Sequence, residues 1–110
     1  LVKGISLLID CPPAIGNPIG EVDSLSPVAP YRVVNIGNSD KVRLLDFIEA
    51  IEVELGVKAT RNYMPMQTGD VPATWANANL LKKLTNYQPN TSVRQGVSNF
   101  VKWYRDYYGI

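Results

Sequence analysis

The chain has 110 residues, enough for one domain around one core, and its 45% hydrophobic and 19% charged residues exclude a disordered or fibrous protein. Eleven Lys and Arg against ten Asp and Glu give a formal net charge of +1 with no basic run, which argues against a nucleic-acid partner held through its phosphates. With no histidine and one cysteine, Cys11, the chain has no internal disulfide, no Ser-His-Asp or Cys-His nucleophile and no zinc set, and a reducing compartment is expected.

Val2, Ile5, Leu8 and Ile9 recur at helical spacing and predict the last turns of an amphipathic helix, broken at Cys11-Pro12-Pro13. That pattern starts with neither methionine nor cap, so Leu1 reads as a cut end. Its apolar run, Gly4 to Ile9, falls short of the roughly 18 residues a membrane span requires, and a cytoplasmic protein with no membrane partner is expected. Residues 14–30 form a proline- and glycine-bearing connection, of a length more often functional or mobile than inert.

Tyr31 to Ile36, rich in β-branched residues between Pro30 and Gly37, predicts a strand, and Gly37 to Asp40 its exit turn. Leu44, Phe47, Ile48, Ile51 and Leu55 mark one face of a helix stopped by Gly56, with Asp46, Glu49, Glu52 and Glu54 largely on the other side. Val57 to Tyr63 reads as a second strand, so the strand, helix, strand order predicts a parallel α/β pairing. After a loop over residues 65–74, Asn77 is placed to cap a short helix carrying Leu80, Leu81 and Leu84 and ending near Asn86. Ser92 and Gln95 fit a capping box that opens a final helix, with Val93, Val97, Phe100, Val101, Tyr104 and Tyr108 as its apolar face. The expected fold class is therefore α/β, a few strands with packed helices.

Chemistry is concentrated in one place. Gly16-Asn17-Pro18-Ile19-Gly20 has the wrong spacing for a dinucleotide loop and a proline where N–H donors are needed. Pro65 to Val71, by contrast, gathers an amide, a hydroxyl, a glycine and a carboxylate. Gln67 can donate to a phosphate or sugar oxygen, Asp70 can accept from paired ribose hydroxyls, and Gly69 permits close backbone approach. The alternative is an ordinary turn with Asp70 bonded to its own backbone. Trp75 either lines a ligand site or covers the core. The aromatics of Trp103 to Tyr108 fit packing better than base stacking, because Tyr104 and Tyr108 share the apolar face and no basic groove adjoins them.

Three segments carry a specific resemblance: Tyr31-Arg-Val-Val-Asn-Ile-Gly-Asn38, Pro65-Met-Gln-Thr-Gly-Asp-Val71, and Gly96-Val-Ser-Asn-Phe-Val-Lys-Trp-Tyr-Arg105 followed by Tyr107-Tyr108. In this order the chain, over essentially its whole length, resembles the C-terminal part of UDP-glucuronate 4-epimerases of the capsular-polysaccharide type. These are NAD-dependent epimerase/dehydratase proteins of the extended short-chain dehydrogenase/reductase superfamily. The resemblance implies that residues 1–110 are a sugar-nucleotide-binding part whose N-terminal Rossmann part, with the NAD loop and the catalytic Tyr-x-x-x-Lys, lies upstream. None of the six tyrosines here has lysine four residues later.

By the same resemblance Asp70 contacts the ribose of UDP, Gln67 lies near the ribose and diphosphate, and Thr74 is possible lining, as Trp75 is from its place beside the loop, with no catalytic, cofactor-binding or metal-binding residue expected on this chain. The complete enzyme would be an NAD-dependent homodimer that interconverts UDP-glucuronate and UDP-galacturonate through a 4-keto sugar, while the isolated chain would be inactive. Two alternatives remain open at this level: a related nucleotide-sugar dehydratase or decarboxylase, and a stand-alone binding or assembly module.

Overall fold

A computed structural model describes residues 1–71, 73 and 75–110. Its regular elements, in order, are α1 (Val2–Ile9), α2 (Leu44–Leu55), α3 (Asn79–Thr85) and α4 (Val93–Tyr108). The chain divides into two compact units. One comprises Leu1–Asp40 with Trp75–Asn90, and the other Lys41–Thr74 with Thr91–Ile110.

In the first unit α1 packs against α3. The approach depends on Gly4: a Cβ there would lie 3.0 Å from a methyl of Ile36 and 3.7 Å from one of Leu81. Leu81 is wholly buried and Ala78 nearly so. The predicted cap is displaced by one residue, since the N-cap is Ala78. Asn77 Oδ1 nevertheless accepts from the N–H of Asn79, satisfying one of the donors that a helix start leaves open. Asn86 ends α3 in the left-handed conformation, which Asn tolerates better than most residues.

In the second unit α2 packs against α4 around Ala50, Val97 and Val101, with Ile51, Leu55 and Val93 half-buried beside them. Gly56 stops α2 at φ +71°, as its position predicts. Arg105 of α4 donates to the carbonyl of Leu55 at 2.9 Å, placing a cation at the negative end of α2. Ser92 Oγ accepts from the N–H of Gln95, so half of the capping box forms, while the Gln95 amide turns forward to Asn99.

The expected α/β class is corrected: among the described residues the regular structure is entirely helical, and no sheet forms. Both 31–36 and 57–63 run without regular structure. Their β-branched content suits a pleated surface, but a strand exists only as one side of a hydrogen-bonded ladder, and composition says nothing about whether a partner is at hand. Four side-chain positions also differ from the periodic reading. Glu52, assigned to the solvent side of α2, is 4% exposed, and Phe100, Tyr104 and Tyr108, assigned to the apolar face of α4, are 58%, 39% and 57% exposed.

The accessible surface is 8911 Å². A folded monomer of 12.2 kDa exposes about 6000 Å², and two separate domains of half that mass would total about 7300 Å². The excess persists whichever reference is chosen, so it belongs to the units themselves.

Candidate functional site

The polar loop singled out by sequence becomes a tight turn. The N–H of Asp70 donates to the carbonyl of Gln67 at 3.1 Å, and Gly69 sits at φ +97°, where a side chain would be strained. Gln67 and Asp70 are thus the two ends of one four-residue turn, and both are exposed. Among the described residues no hydrogen bond or ion pair engages the Gln67 amide or the Asp70 carboxylate. The turn therefore offers a donor-acceptor amide and an acceptor carboxylate to solvent, a combination suited to hydroxyl and phosphate oxygens.

Thr74 lies outside the described residues. Trp75 falls in the other unit and is 56% exposed. The structure thus brings Gln67 and Asp70 together.

Sequence reading missed the group that holds the chain leading into this turn. From the middle of α2, the Glu52 carboxylate accepts from Lys58 Nζ at 2.8 Å, from Arg61 Nη2 at 3.0 and 3.1 Å, and from the N–H of Ala59 at 3.1 Å. The Lys58 and Arg61 bonds, followed by that of Ala59, hold its pKa down at about 2. The Arg61 guanidinium is pushed above its ordinary value, first by the Tyr63 hydroxyl and then by Glu52. Its only trace in the sequence is that Lys58 and Arg61 follow within nine residues of Glu52, one of four acids on α2.

A comparable device orders the long connection of the first unit. Asp23, its side chain 1% exposed, binds Arg32 through two bonds of 2.8 and 2.9 Å and accepts from the N–H groups of Ile19 and Leu25. The Arg32 bonds chiefly, with the two backbone donors, lower its pKa against the opposing effect of burial. Ser24 Oγ donates to the carbonyl of Val33 and accepts from its N–H, tying the same loop to residues 31–36. Gly16 and Gly20 both have positive φ, yet no helix starts after them and the N–H of Ile19 is taken by a carboxylate. The residues present do not fit a dinucleotide diphosphate, which needs free N–H donors and a helix N-terminus.

Concavities among the described residues lie in both units. An apolar groove of about 490 Å³ lies between α2 and α4, lined by Phe47, Ile51, Leu55, Gly96, Phe100 and Tyr104 among others. In the first unit a polar hollow of about 240 Å³ is edged by Ser24, Asn35, Asn77 and Asn79. Among the described residues no group of three or more His, Cys, Asp or Glu comes together as a metal site, and no helix is long and apolar enough to cross a membrane.

No family model matches the chain. Curated proteins do. It is 44% identical over 110 residues to Protein CapI of Staphylococcus aureus, a match covering 98% of this chain and 33% of that protein. It is 44% identical to a probable UDP-glucuronate 4-epimerase of Rhizobium meliloti, again over 98% of this chain and 33% of the relative. UDP-glucuronate 4-epimerase 1 of Arabidopsis thaliana is 36% identical, over 99% of this chain and 25% of its own length. The chain spans a third or less of the length of these relatives.

Proposed function

From the premise that this chain is homologous to part of the UDP-glucuronate 4-epimerases and CapI, we propose that it is the C-terminal, sugar-nucleotide-binding portion of an NAD-dependent UDP-sugar 4-epimerase interconverting UDP-glucuronate and UDP-galacturonate. The observation that carries the reading is the turn from Gln67 to Asp70, which presents its amide and carboxylate outward from one fixed frame. In this role Asp70 accepts from the ribose hydroxyls and Gln67 donates toward the ribose or diphosphate. Nothing on this chain supplies the proton transfers or the nicotinamide. Its part is to anchor the UDP end, so that binding energy far from the reacting carbon leaves the sugar free to turn.

The same reading assigns the remaining two thirds of the protein to a Rossmann part that binds NAD and covers apolar surface left open here. Phe100, Trp103, Tyr107 and Tyr108 are each more than half exposed on α4, which favours such a cover. We further propose a cytoplasmic homodimer for the complete enzyme and no epimerase activity for the isolated chain.

The test is direct. Full-length protein incubated with UDP-glucuronate and NAD should yield the proton NMR signals of UDP-galacturonate. In that protein Asp70→Ala should weaken UDP binding roughly ten- to hundred-fold, the effect expected for a hydrogen bond to a charged group. Unchanged affinity, measured by calorimetric titration, would reduce the turn to a structural feature.

A further inference from the structure

We infer that Glu52 is a positioning residue for the Gln67–Asp70 turn, an inference that rests on the reading of that turn as the UDP site. Residues 57–67 belong to no helix or sheet, and every one of them is exposed. The hydrogen bonds at the start of this stretch converge on Glu52: its carbonyl accepts from the N–H of Gly56 and of Val57, and its carboxylate from Lys58, Ala59 and Arg61. Five groups from a six-residue stretch thus meet one residue of a packed helix.

Burial makes the arrangement specific. The Glu52 carboxylate is 3% exposed, whereas Lys58 is 77% exposed and Arg61 34%. A carboxylate withdrawn from water in this way needs all its partners, since each unfilled lone pair would carry the cost of lost solvation. The chain at 58–61 is therefore held in one conformation, and the turn follows six residues after Arg61. An extended stretch of that length spans about 20 Å, so a small angular freedom at Arg61 becomes a displacement of several ångströms at Gln67. Fixing the base of the stretch is how α2 governs where the turn can sit. Removing the anchor leaves Gln67 and Asp70 chemically intact but scatters their positions.

The experiment uses the full-length protein, with UDP as the titrated probe and UDP-glucuronate as the substrate. Glu52→Gln keeps the shape of the side chain and removes its charge. Arg61→Gln removes the partner without touching α2 and serves if the first variant fails to fold. Both should raise the Kd for UDP and the KM on the order of ten-fold, the scale expected for misplacing a positioned group, while kcat stays at the parent value. A purely structural role would lower the melting temperature and leave the Kd of the folded protein unchanged. That result, in a protein whose UDP binding is weakened by Asp70→Ala, overturns this inference alone. Unchanged binding in Asp70→Ala overturns the site reading, and this inference falls with it.

Discussion

The two units solve one problem at two ranges. Each contains a stretch without regular structure, and each secures it with a carboxylate withdrawn from water and bound to a guanidinium. Asp23 lies inside the loop it organises, with partners four residues before it and two and nine after it. Glu52 instead lies on a helix whose neighbours Ala50 and Ile51 contact α4, so its partners inherit the rigidity of a packed element. A local clasp fixes the form of a loop. A helix-borne clasp also fixes where the following chain begins. The cores differ as well: the first unit is built on close approach at Gly4, Gly37 and Leu81, the second on the apolar faces of two longer helices.

The largest expected effect in that comparison comes from Leu81→Ala. Leu81 is completely buried, and its truncation should cost about 2–5 kcal/mol, read as faster hydrogen exchange across the α1 and α3 amides. Retained protection there would mean that the contact between α1 and α3 is not what stabilises this unit. Gly37→Ala should follow at about 1–3 kcal/mol, because the new Cβ would meet the Ala76 Cβ at 2.7 Å and neither atom has a torsion that relieves the overlap. Urea titration of this variant beside the parent measures it.

The smallest effect at neutral pH, and the one that probes the second unit, is acid sensitivity. A carboxylate whose pKa is lowered on folding from 4.5 to about 2 stabilises the fold fully above 4.5, and that contribution is lost as pH falls through about 2. Asp23, lowered in the same direction, acts with the same sign. Stability should thus decline between pH 4.5 and 2 in the parent, and the decline should be shallower in Glu52→Gln. Equal slopes in the two proteins would show that the acid loss arises elsewhere.

What the sequence discloses follows the range of the interactions. Gly56 as the stop of α2 and Ser92 as the cap of α4 are contacts within one turn, so their signals lie within a few residues and the structure agrees with them. The strands at 31–36 and 57–63 required a ladder partner from elsewhere in the chain, and none is found among the described residues. Periodicity was misleading for Glu52, because spacing places a side chain on a face without saying which cations will fold back over it. Of the candidate site, the turn at Gln67–Asp70 was legible in its residue types, whereas its anchor was not, since that anchor rests on the coming together of α2 with the stretch that follows it.

The turn has one more consequence, for how such a surface changes over generations. Gln67 and Asp70 share a single frame set by the positive φ of Gly69. One insertion, or one Cβ at Gly69, alters the spacing of both side chains at once, whereas groups drawn from separate elements can be exchanged one at a time. The placement of the two side chains, unlike their identity, is therefore set by one residue.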